Sequence, residues 1–85
     1  LGPAKAAQIK AAIELGYAIY AAKVLDNGNA DIRDIMNGLQ SLFNIDLGDY
    51  YRTYIAIKGR KKDRTSFLTY LADCLEKRMD EEFGA

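Results

Sequence analysis

The chain has 85 residues, with 12 Lys+Arg against 12 Asp+Glu, no His, one Cys, no Trp and one Pro. Its length fits a single domain, and 49% hydrophobic with 28% charged residues is a folded globule's composition, not a disordered segment's. Taken whole, a formal net charge of zero argues against a nucleic-acid binder.

The missing residue types narrow the chemistry. Without His there is no Ser-His or Cys-His dyad and no imidazole metal ligand. A single cysteine, Cys74, excludes an intrachain disulfide and any CxxC pair, which fits a reducing, cytoplasmic setting. No apolar run approaches the roughly 18 residues of a membrane span, and no signal-peptide pattern is present, so no membrane partner is expected. The chain opens Leu1-Gly2-Pro3 without Met, and we expect it to be a piece of something longer.

From Ala4 to Lys23 the residues Ile9, Ala12, Ile13, Tyr17, Tyr20 and Val24 recur at three- and four-residue steps. That period predicts a helix, with Pro3 tolerated at its mouth. Asn27-Gly28 can adopt the left-handed conformation that closes it, and Asn29 can cap the next helix. The second helix is expected from about Ala30 to Phe43, with Ile32, Ile35, Met36, Leu39, Leu42 and Phe43 inward. Asp31 lies in its first turn, where the helix dipole favours a carboxylate. Gly38 costs up to about 1 kcal/mol relative to Ala inside a helix, and close helix packing is the expected reason for it.

Asn44–Gly48 forms a tight connection in which Asp46 is the expected N-cap, with Ile45 and Tyr50 at the two staple positions. A third helix is expected from Leu47 to about Lys58 and can end at Gly59. Arg60-Lys61-Lys62-Asp63-Arg64 bridges to a fourth, capped by Thr65 or Ser66 and carrying Phe67, Leu68, Leu71, Cys74, Leu75 and Met79. No stretch alternates with period two over a strand's length. The expected fold is all-α: a small bundle of about four helices in one domain, 1–85, containing a helix-turn-helix-like pair.

The zero net charge hides a segregation. Residues 52–64 hold Arg52, Lys58, Arg60, Lys61, Lys62 and Arg64 against Asp63 alone, a net +5, which leaves −5 elsewhere. Asp73, Glu76, Asp80, Glu81 and Glu82 collect on the last helix and tail. At 100° per residue, Tyr51, Tyr54, Ile55 and Lys58 share one stripe of helix three, with Asp49, Arg52, Thr53, Ala56 and Arg60 roughly opposite. The second stripe suits a major groove: Ala and Thr permit close approach, Thr can bond a base edge, and Arg can bind guanine bidentately. The loop after the helix would neutralise phosphates. The blander explanation is a solvated face, with cations favoured by the dipole at the end of helix three. Tyr50, Tyr51 and Tyr54 read more readily as helix contacts than as base-stacking platforms.

An enzyme is not expected. Asp46 and Asp49 read as caps, Asp80-Glu81-Glu82 as a solvated helix end, and Cys74 as a small apolar residue with no His to activate it. There is no GxxxxGK[ST] loop and no calcium-loop spacing, so neither cofactor nor metal is expected.

Three stretches carry a resemblance: Asn27-Gly28-Asn29-Ala30-Asp31-Ile32, Leu42 through Thr53, and Arg60 through Leu68, ending at Arg78-Met79-Asp80-Glu81. Over about Ala12 to Glu82 the chain resembles the C-terminal part of the RteC protein family. Those proteins are regulators of conjugative transposons. The resemblance implies DNA binding upstream of excision or transfer genes, through a C-terminal helix-turn-helix or winged-helix region. The family's regulators carry a substantial N-terminal region ahead of this part, and no hairpin signal for a wing is present here.

Together these readings point to the DNA-binding domain of a mobile-element transcriptional regulator, with double-stranded DNA as partner and a homodimer as a candidate assembly. Arg52, Thr53 and Ala56 are expected to face bases, and Lys58, Arg60, Lys61, Lys62 and Arg64 to hold phosphates. The alternative is a helical protein-interaction or dimerisation module with no nucleic-acid contact. The discriminator is whether the basic face is open or covered by Glu76, Asp80, Glu81 or Glu82 of the same chain.

Overall fold

The computed structural model describes residues 3–84, with side-chain surroundings for residues 4–82. Four helices succeed one another: α1 (Pro3–Ala22), α2 (Ile32–Phe43), α3 (Tyr50–Lys58) and α4 (Ser66–Gly84). A short 3-10 turn, Asp26–Gly28, lies between α1 and α2. No strand occurs among the described residues, so the fold is an all-α bundle, and those residues form no hairpin wing.

α1 is the hub. It packs against α2, α3 and α4 in turn, while α2 and α3 share no extensive contact of their own. The core holds Ala12 and Ile13 of α1, Ile35, Met36 and Leu39 of α2, Leu47 of the connection and Ile57 of α3. Ile13 and Met36 are fully buried. A close approach occurs at Gly16 of α1, where an added Cβ would stand 2.7 Å from Met36 Cε and 3.0 Å from Leu39 Cδ1. Gly38, where the sequence suggests close packing, is not such a place: an added Cβ there meets nothing within 4 Å.

The caps also differ from expectation. α1 closes at Lys23, whose N–H donates to the carbonyls of Ile19 and Tyr20, each at 3.2 Å, and whose left-handed backbone (φ 55°) then turns the chain out of the helix. Asn27 and Gly28 do take positive φ, but four residues later, inside the connection. Asn29 does not cap α2: Asp31 does, accepting the Asp34 N–H at 2.9 Å. Asp31 stands three residues before that unpaired amide, the spacing a cap requires, and Asn29 does not.

α2 ends on Asn44, again left-handed, and Gln40 shapes the connection to α3. Its carbonyl accepts the Ile45 N–H at 3.1 Å and its side-chain Oε1 accepts the Leu47 N–H at 2.8 Å, which seats Leu47 in the core. The Asp46 carboxylate closes a local turn by accepting the Gly48 N–H at 2.8 Å. Helix three therefore begins later than expected, with Asp49 as its cap through the Arg52 N–H at 3.2 Å. The expected Ile45–Tyr50 staple loses its register, although both side chains pack on the core.

α4 is anchored at one end. The Glu14 carboxylate, from the middle of α1, accepts the Leu68 N–H at 2.8 Å in the first turn of α4. Phe67 and Leu68 are half-buried there, and from Thr69 to Glu82 every residue is exposed. The helix runs out from the bundle, which gives a Cα radius of gyration of 14.4 Å against about 12 Å for a compact domain of this length.

Candidate nucleic-acid interface

α3 turns inward a face that includes two of its three tyrosines and only part of the expected stripe. Tyr50, Tyr54 and Ile57 point to the core, at steps of four and three residues. Tyr54 stacks on Tyr17 of α1, with ring centroids 3.9 Å apart and planes inclined by 12°. Burial pushes the Tyr17 phenol above its ordinary range, and the neighbouring tyrosines, Tyr50 first, add to this. Ile57 belongs to the core although the expected stripes of helix three omit it; its spacing from Tyr50 and Tyr54 is the signal that could have found it.

Rotating α3 this way redistributes the expected base-facing residues. Arg52 and Ala56 are exposed on the outer face, joined by Tyr51 and Ile55, which the sequence pattern assigns to the inner one. Thr53 is half-buried at the edge of the inner face, and its hydroxyl lies 3.5 Å from the Asp49 carbonyl. It stands apart from the outer stripe that Arg52 and Ala56 share. Arg52 makes a 3.7 Å ion pair with Asp49, and both side chains are largely exposed. Such a pair contributes little to stability and yields readily to a stronger anion.

Lys58, Arg60, Lys61, Lys62 and Arg64 are all exposed and sit on one short segment. Two arginines give the loop its shape. Arg60 donates to the Asp63 carbonyl at 3.3 Å, and Arg64 donates to the Lys58 carbonyl at 3.5 Å. Asp63, at φ 61°, takes the left-handed turn that brings the loop back toward α4. Lys58 and Arg64 also border a groove of about 330 Å³ floored by Tyr17, Tyr54 and Leu68.

Among the described residues the ion pairs are Arg52–Asp49 and Arg78–Glu82, each within its own segment. Glu76, Asp80, Glu81 and Glu82 make no ion pair with the basic stretch. The basic face is open. α2 and α3, joined by the six residues 44–49, rest on α1 as a common support, which is a looser arrangement than a compact helix-turn-helix.

The family model described as RteC protein matches residues 6–82. The chain belongs to the RteC protein family. No curated protein and no solved structure matches it. The match covers α1 to α4 almost whole, so the open basic face lies within the matched residues. No helix among the described residues is long and apolar enough to cross a membrane. No cluster of potential metal ligands occurs among those residues either.

Proposed function

We propose that this RteC-family chain binds duplex DNA and serves a transcriptional regulator of mobile-element excision or transfer genes. α3 enters the major groove with Arg52 and Ala56 toward base edges and Tyr51 and Ile55 beside them. Lys58, Lys61, Lys62 and the two loop arginines lie along the phosphates. The observation that carries this reading is the net +5 over residues 52–64, exposed and unpaired with the acids of α4. Because the whole chain is neutral, long-range attraction to DNA is weak and affinity comes from local contacts.

The experiment is a duplex titration at several salt concentrations. Lys58, Lys61 and Lys62 together changed to Gln leave the hydrogen bonds of Arg60 and Arg64 intact. Each phosphate contact contributes about 0.9 to the slope of log K against log salt, so the triple variant should flatten it by about 2 to 3. Arg52→Ala should leave the slope nearly unchanged and remove about 1–3 kcal/mol of preference at one base position. A chain that binds no duplex even at low salt overturns the proposal and leaves an interaction module.

A further inference from the structure

At 100° per residue Leu68, Leu71, Leu75 and Met79 fall within an arc of about 80° on α4. Leu68 is held against α1, but the same stripe then leaves the bundle: Leu75 is 56% and Met79 50% exposed. The chain exposes 6646 Å² in all, roughly 1,600 Å² more than the surface of about 5,000 Å² expected for a compact monomer of its mass. A stable dimer takes about 800 Å² from each partner, so the excess is large enough to supply one.

Charge decides what can cover the stripe. From Leu68 to Met79 the helix carries Asp73 and Glu76 against Lys77 and Arg78, which is neutral and repels no copy of itself. Beyond it, Asp80, Glu81 and Glu82 lie near the helix C-terminus, whereas Lys61, Lys62 and Arg64 precede its start. Two such helices laid antiparallel bring the acidic end of each level with the beginning of the other. With Leu75 opposite Leu75, residue 82 lies level with residue 68 of the partner helix, about 6 Å along the axis from Arg64. Leu71 then meets Met79, and the antiparallel dipoles attract.

We propose that α4 is a self-association helix: two copies of this chain pair antiparallel through Leu71, Leu75 and Met79, with Leu75 at the two-fold axis. The pairing is measured without DNA; it sets the acidic end of one copy near Arg64 of the other, so it draws on a cation that the DNA reading places on phosphate. Sedimentation equilibrium of the full chain over micromolar to millimolar concentration should give a monomer–dimer equilibrium. Leu75→Glu should shift it to monomer at least tenfold in dissociation constant, with helical content of the dilute monomer by circular dichroism unchanged because Leu75 is 56% exposed in its own chain. Register is tested by disulfide formation in a Cys74→Ser background: Leu75→Cys should cross-link under mild oxidation and Leu71→Cys should not. A chain monomeric at every concentration, a Leu75→Glu variant that pairs as well as the parent, or cross-linking at 71 in preference to 75 would each overturn the proposal.

Discussion

Met36 and Leu75 occupy equivalent places in their helices, each central to an apolar stripe of period 3.6, and their surroundings differ completely. Met36 is fully buried where α2 crosses Gly16 of α1, and Leu75 stands 56% exposed on α4. The difference lies in what the opposite helix offers. α1 presents a glycine whose missing side chain makes room for the Met36 thioether. Past Glu14 and Leu68, no described helix of the same chain covers α4. A stripe states that a face wants covering; it does not state by what.

The sharpest way to break that comparison is truncation on both sides of it. Met36→Ala should cost about 2–5 kcal/mol, because the cavity opens inside the core between α1 and α2 and collapses poorly. Leu75→Ala should change the stability of the dilute monomer by under about 0.5 kcal/mol, as surface substitutions do. Urea midpoints measured at low micromolar concentration check both. Comparable losses would mean that α4 folds back on the bundle in solution.

The anchor between the two regions should show an intermediate effect. Glu14→Ala removes the carboxylate that accepts the Leu68 N–H and leaves a half-buried amide at the start of α4 without its partner. Loss of a helix cap costs about 0.5–2 kcal/mol, and here the cap comes from 54 residues away. Hydrogen exchange should speed up in the first turns of α4 and stay unchanged in α2. Uniform acceleration across the chain would instead make Glu14 a global support.

These contrasts bear on what the sequence could reveal. The four helices were legible because periodicity, Asn-Gly and Asp signals are local. Which of two neighbouring cap residues acts was not. Asp49 prevails over Asp46 because Gln40 holds the Leu47 amide in the connection, and Asp31 prevails over Asn29 by its distance from the first free amide. The tight glycine is Gly16 and not Gly38, because a close approach belongs to two helices and a sequence displays one at a time. The basic segment was legible as a charge run. The rotation of α3 was not, because Tyr51 and Ile55 are apolar enough to suit either face; burial of Ile57 in the core decides it. The exposure of α4 left no trace in the sequence, since its stripe looks as complete as that of α2.

The smallest effect falls where α3 meets α1. The Tyr17 phenol is raised by burial and by the tyrosines around it, so folding favours its neutral form. An unfolded tyrosine ionises near pH 10, about where the folded one stays protonated. Stability from this source is therefore full below pH 10 and falls as the pH rises above it, because the unfolded chain loses the proton first. Tyr17→Phe keeps the ring against Tyr54 and removes the ionisation. The melting temperature of the parent should drop more between pH 8 and pH 11 than that of the variant, while the two nearly coincide at pH 8. Equal drops would mean that the alkaline loss arises elsewhere, and that the α1–α3 contact is indifferent to the charge at its centre.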